Sequence, residues 1–299
     1  MAIVRQDENT SSQEVTTSDA QLTANPTVLV FDSGVGGLSV YREIREKLPD
    51  AHYIYVFDNE AFPYGEKSQE FIIDRVVHII SAVAEKHDLA AIVIACNTAS
   101  TVSLPALRAK FTDIPIVGVV PAIKPAAKLT CNGVVGLLAT RATVKRPYTH
   151  ELIERFATDC KVHSLGSAEL VELAEKKLHG ESVSLDELRK VLAPWLKMKE
   201  PPDTVVLGCT HFPLLADELL SILPDGTRII DSGAAIARRT AWLVVNQAKI
   251  KGSNEISFAY CLKEDENSEL LKPVLANFGF KSLRKLALQV QFDGKFNGQ

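Results

Sequence analysis

Long hydrophobic runs are missing from this chain of 299 residues. No apolar stretch approaches the ~18 residues that a membrane-spanning helix needs, so no membrane association is expected. A basic excess is missing too: 33 Lys and Arg stand against 37 Asp and Glu, a formal net charge of −4. That balance does not point to nucleic acid or to an acidic membrane surface as partner. Cysteine is sparse, with Cys96, Cys131, Cys160, Cys209 and Cys261. They form neither a C-x-x-C pair nor a His/Cys cluster at zinc spacing, so no metal site is expected. An odd count without a secretion signal fits free thiols in a reducing compartment, hence a cytoplasmic protein. The first 26 residues are rich in Gln, Asn, Ser and Thr and lack the apolar core of a signal peptide. Composition reads Met1 to Pro26 as a disordered N-terminal extension. The alternative is a segment that orders on the protein surface, at an effector site.

What is present is an alternation of short β-branched runs and amphipathic stretches. Strands are predicted at Val28–Phe31, Tyr53–Phe57, Ala91–Ala95 and Pro115–Val120. Helices are predicted at Leu38–Leu48, Phe71–Ala84 and Ser103–Phe111. The second half repeats the scheme, with strands at Val134–Ala139, Lys161–Leu165, Thr204–Leu207 and Arg228–Ile230. The Thr140-Arg141-Ala142-Thr143 segment is expected to lead into a helix through Phe156, with further helices at Glu169–Leu178, Leu185–Leu196 and from Ala234 to about Ala248. Such alternation with short connections implies an α/β fold built on parallel sheet covered by helices. Asp231-Ser232-Gly233 echoes Asp32-Ser33-Gly34, and the segments around Cys96 and Cys209 echo each other. Both echoes suggest two similar halves. Ligands of open α/β sheets bind beyond the carboxyl ends of strands, where Asp32, Asp58, Cys96, Thr140 and Cys209 all fall.

The two cysteine segments carry the strongest chemical signal. Cys96-Asn97-Thr98 and Cys209-Thr210-His211 each follow a buried-strand pattern and precede a helical one. A thiol next to a helix N-terminus is expected to have a lowered pKa. The adjacent polar side chains and backbone N–H groups can hold a carboxylate. His211 could lower the pKa of Cys209 further or relay its proton. Taken alone, either cysteine is more often buried packing than chemistry; Cys131, Cys160 and Cys261 lack polar neighbours of this kind and are assigned to packing or surface. Asp32-Ser33-Gly34-Val35-Gly36-Gly37 partly mimics a dinucleotide fingerprint, but Ser39 stands at the third glycine position. No Walker lysine follows the glycines. A turn offering Asp32 and Ser33 to a small polar ligand fits better. Phe62-Pro63-Tyr64-Gly65 is a turn by itself, or a wall over that ligand. Glu175 sits on an amphipathic helix, where a solvated charge is the default.

Five segments together resemble the glutamate racemases of the aspartate/glutamate racemase family. They are Phe31-Asp32-Ser33-Gly34-Val35-Gly36-Gly37, Pro63-Tyr64-Gly65-Glu66, Ala95-Cys96-Asn97-Thr98-Ala99, Gly208-Cys209-Thr210-His211-Phe212-Pro213-Leu214 and Asp231-Ser232-Gly233. The resemblance implies two similar domains, each a mainly parallel sheet flanked by helices, with the active site in the cleft between them. Residues 27–120 with 231–290 would form the first domain and 121–230 the second. It implies cofactor-independent interconversion of L- and D-glutamate, supplying D-glutamate for peptidoglycan. Cys96 and Cys209 would be the two acid/bases, assisted by Asp32, Asp58, Glu175 and His211. Asp32, Ser33, Tyr64, Gly65, Asn97, Thr98, Thr210 and His211 would bind the substrate. The long extension resembles that of enterobacterial-type members, whose activator is a UDP-muramyl precursor, UDP-N-acetylmuramoyl-L-alanine. The alternatives are a racemase for aspartate or another amino acid, and a non-catalytic amino-acid-binding regulator using the same cleft.

Overall fold

A computed structural model describes residues 25–247, 251–252 and 256–288. The extension is outside these residues except for Asn25 and Pro26. In chain order the strands are β1 (Thr27–Asp32), β2 (His52–Phe57), β3 (Ala91–Ile94), β4 (Ile116–Gly118), β5 (Val134–Ala139), β6 (Lys161–Gly166), β7 (Thr204–Gly208), β8 (Arg228–Ile230), β9 (Phe258–Cys261) and β10 (Leu283–Lys285). They make two sheets, ordered β10-β9-β2-β1-β3-β4 and β6-β5-β7-β8. Every strand pairing within them is parallel. The expected α/β architecture in two domains is therefore observed.

The central strand of the first sheet shows why the sequence reads as it does. β1 is buried along its whole length, so it is a continuous apolar run rather than an alternating one. Side chains still alternate between faces. Val28 and Val30 pack with Tyr53, Tyr55 and Ile44, while Leu29 and Phe31 pack with Ile72, Ile79 and Leu107. The first face is covered by helices Leu38–Lys47 and Gly233–Val245, the second by Gln69–Ala84 and Asn97–Lys110. The chain returns to this sheet after completing the second one, since β9 joins β2 with Val56 opposite Tyr260. No helix among the described residues is long and apolar enough to cross a membrane.

Three local expectations change. The helix predicted at Ser103–Phe111 begins at Asn97, directly after Cys96. Its polar first turn, Asn97 to Ser100, masked the pattern, yet Cys96 itself caps the helix by accepting from the N–H of Ala99. The single helix expected through Phe156 is two, Arg141–Lys145 and Pro147–Phe156. Pro147 drives Arg146 to an extended backbone (φ −69°, ψ 136°). The helix expected to reach Ala248 is described as Gly233–Val245, and Ala248 lies outside the described residues.

Candidate active site

The carboxyl ends of β1, β3, β5 and β7 converge on a cavity of about 170 Å³. One side is built from the first sheet's loops: Ser33 after β1, the Phe62–Glu66 segment, and Cys96, Asn97 and Thr98 after β3. The other side carries Thr140, Arg141, Val171, Glu172 and the Cys209-Thr210-His211 turn after β7. Of the expected site residues, Ser33, Tyr64, Gly65, Cys96, Asn97, Thr98, Cys209, Thr210 and His211 line it.

Cys96 is 5% exposed, and its Sγ lies 3.5 Å from Ser33 Oγ and 3.5 Å from the N–H of Ala99. Burial pushes this thiol well above its ordinary pKa, and the nearby Asp32 carboxylate pushes the same way. The hydrogen bonds from Ser33 and Ala99 pull it down but do not win. The expected lowering by the helix N-terminus is thus overturned: desolvation in a buried site outweighs the helix end. These surroundings favour the neutral form of Cys96.

Cys209 has a different setting. Its Sγ lies 3.9 Å from Nδ1 of His211, and the His211 Nε2 meets Glu175 Oε1 at 2.5 Å. His211 is 2% exposed, and burial alone would favour its neutral ring. Hydrogen bonds to Cys209 and Glu175 outweigh that and hold its pKa well above the ordinary value. The Cys209–His211–Glu175 line therefore favours an imidazolium beside Cys209. Glu175 comes from helix Glu169–Leu178 and is no solvated surface charge, because its side chain is only 22% exposed.

Neither aspartate expected at the site is one of the cavity's walls. Asp32 is fully buried and accepts from Ser33 N (2.8 Å), Gly37 N (2.6 Å) and Thr210 Oγ1 (3.2 Å). Burial raises its pKa, against the pull of His211 and the Gly37 and Ser33 N–H groups. It knits the first glycine-rich turn to the second domain's Thr210. Asp58, expected to assist the cysteines, has its oxygens taken by Arg75, Tyr64 and Ala61. Among the described residues no hydrogen bond joins it to a thiol.

Several features escaped sequence reasoning. Thr140 lines the cavity, and its Oγ1 lies 3.1 Å from Thr98 and 2.9 Å from Thr143, so hydroxyls of both domains meet. The strand-end position of Thr140 was the available signal. Asn97 keeps Oδ1 buried with no hydrogen-bond partner among the described residues, an acceptor awaiting a donor. Close approach explains two glycines: a Cβ on Gly36 would fall on the His211 ring, and one on Gly34 would stand 2.9 Å from Phe62 Cε2. Gly36 thereby lets the first turn press against the histidine, and Gly34 against Phe62.

Comparison with known proteins gives one consistent picture. The profile of the Asp/Glu/Hydantoin racemase family matches residues 28–240. Glutamate racemase of Proteus mirabilis (strain HI4320) is 90% identical over 288 residues, which covers 96% of this chain and 100% of that protein. The crystal structure of Escherichia coli glutamate racemase in complex with L-glutamate and the activator UDP-MurNAc-ala superposes with a TM-score of 0.87 at 68% identity, covering 89% of this chain and 100% of that chain. Glutamate racemase from Thermus thermophilus, in complex with β-chloro-D-alanine, gives a TM-score of 0.71 at 29% identity, covering 89% of this chain and 98% of that chain.

Proposed function

This chain belongs to the Asp/Glu/Hydantoin racemase family, and we propose that it interconverts L- and D-glutamate by proton transfer at Cα between two cysteines. The observation that carries the reading is that Cys96 and Cys209, from different sheets, line one small cavity. Racemisation removes a proton from one face of Cα and returns a proton to the other. Two groups on opposed walls do this without turning the substrate over. One must start as thiolate and the other as thiol. The imidazole beside Cys209 equips that side to act as the base, and the buried Cys96 equips the other to act as the acid. The thiolate takes the Cα proton, the electron pair is left on the substrate, and the opposite thiol delivers its proton to the other face. In the reverse direction the roles exchange.

The developing negative charge delocalises onto the substrate carboxylate. The N–H groups and hydroxyls at Asn97-Thr98 and Thr210 are the donors that can stabilise it in a water-poor site. The unpartnered Asn97 Oδ1 is an acceptor for the substrate ammonium. Asp32 acts through the turns it ties together, and Glu175 through the imidazole. Residues 27–120 with 231–290 are proposed as one domain and 121–230 as the other, a division supported by the membership of strands in the two sheets; residues 248–250, 253–255 and 289–290 lie outside the described residues. The product D-glutamate would serve peptidoglycan synthesis in the cytoplasm, with UDP-N-acetylmuramoyl-L-alanine as activator, the role named for the activator in the E. coli complex.

The test is the circular dichroism of D-glutamate over time in D2O, followed by mass analysis. Decay of the optical signal with deuterium at Cα is expected, faster with the activator. A stable signal under both conditions would overturn the reading; decay of D-aspartate but not D-glutamate would move it to the other acidic amino acid.

A further inference from the structure

We propose that Arg75 is a positioning residue for the cavity wall Phe62–Glu66, acting through Asp58; the kinetic part of this inference rests on the racemase reading above. The wall lies outside any strand and ends in a short 3-10 turn, Tyr64–Glu66. All five of its residues line the cavity. It needs an anchor, and Asp58 is that anchor. The N–H of Ala61 donates to Asp58 Oδ1 (3.3 Å), and the Tyr64 hydroxyl donates to Oδ2 (2.7 Å).

What fixes the carboxylate is Arg75, from helix Gln69–Ala84. Its Nε donates to Oδ2 and its Nη2 to Oδ1, both at 2.8 Å, and Nη2 also reaches Glu60 Oε2 at 2.5 Å. A planar fork on both oxygens sets the rotation of the carboxylate, which a point charge could not do. Each wall donor is then left one place to bind. Asp58 is fully buried and the Arg75 side chain 9% exposed. A buried pair of this kind stabilises a fold no better than apolar packing does, so its geometry is the property that distinguishes it. The wall also touches the other domain, because a Cβ on Gly65 would stand 3.4 Å from Thr140 Cβ. A shift of the wall would loosen both the substrate's fit and the meeting of the two domains.

The experiment compares the full chain with Arg75→Lys, Arg75→Gln, Tyr64→Phe and Arg75→Gln/Tyr64→Phe. Readouts are kcat and KM in both directions, the pH profile, and amide hydrogen exchange of Phe62–Glu66. Arg75→Gln is expected to raise KM about tenfold or more, with smaller loss of kcat and unmoved pH limbs. Arg75→Lys, which keeps charge but not the fork, should recover only part of this. Tyr64→Phe should raise KM less, and adding it to Arg75→Gln should cost little more, because both act through one carboxylate. Wall amides should exchange faster in every variant. Unchanged KM with only a lowered melting temperature, strictly additive effects, or unchanged wall exchange would each overturn the positioning role. If Arg75→Gln does not fold, Arg75→Lys and Tyr64→Phe carry the same comparison. An inert wild type would reject the racemase reading alone, since the exchange measurement judges Arg75 without turnover.

Discussion

Cys96 sits against a hydroxyl, an N–H and a neighbouring carboxylate, whereas Cys209 sits 3.9 Å from an imidazole whose far nitrogen meets Glu175. The two thiols sit in chemically different surroundings, as a two-base exchange with one acid and one base requires. Cys96→Ala and Cys209→Ala should therefore each lower racemisation by about 10³-fold or more. Each should still exchange the Cα proton of the enantiomer whose face meets the surviving thiol. Optical rotation with mass analysis separates the two effects, and full racemisation by either variant would remove the two-thiol assignment. The Glu175→Gln variant tests the other half of the argument. Without the carboxylate the imidazolium is less favoured, so less positive charge faces the cavity at a given pH. The low-pH limb of kcat/KM should move to higher pH, with about a tenfold loss near neutrality. Stability follows the same group. The folded imidazole titrates above its unfolded value of about 6.5, so its contribution is complete below that value and is lost as pH rises through the folded value. Glu175→Gln lowers the folded value and shortens that window, which a melting series across pH would display.

Elements place these residues, and here the sequence is legible to different depths. The strand-end rule brought Asp32, Cys96, Thr140 and Cys209 to one edge, because each closes an apolar run that can only be a buried parallel strand. Pairings between distant residues were not legible. Glu175 and His211 meet across 36 positions, and Arg75 and Asp58 across 17, with only ordinary helical patterns around them. The sign of the Cys96 shift was misread for a related reason: a helix N-terminus is visible in a sequence, but the burial that overrides it is not. Glycine spacing was read as a ligand turn, and the structure adds a packing reason. A Cβ on Gly36 would stand 2.7 Å from the His211 backbone nitrogen. Gly36→Ala should therefore destabilise by about 1–3 kcal/mol, as overpacking does, and lower activity by displacing the histidine. Gly180→Ala is the control. Its φ of +84° makes alanine unfavourable, yet nothing lies within 4 Å of the added Cβ. It should cost about 1 kcal/mol and leave kcat and KM unchanged. Calorimetry and steady-state kinetics on the two variants would separate packing at the site from strain in a loop.

At the scale of the whole molecule, the chain visits the first sheet, builds the second, and returns, so the two halves are tied by more than one passage. Their strands present carboxyl ends to a common cavity whose polar groups already meet, Thr98 with Thr140, and Ser39 Oγ joins the two halves outside it by donating to Thr210 O at 2.9 Å. A ligand seated there must contact both halves at once. Binding to the folded state alone stabilises by RT ln(1 + [L]/Kd), about 2.7 kcal/mol at a hundred times Kd. That gain should not be confined to one half. With saturating D-glutamate, amide exchange should slow together in the turns after β1 and β3 and in those after β5 and β7. Protection limited to the turns of one sheet would mean that the ligand rests on a single domain. The opposed thiols would then have no common substrate face, because a Cα reachable from only one wall can lose a proton there but cannot receive one on its other side.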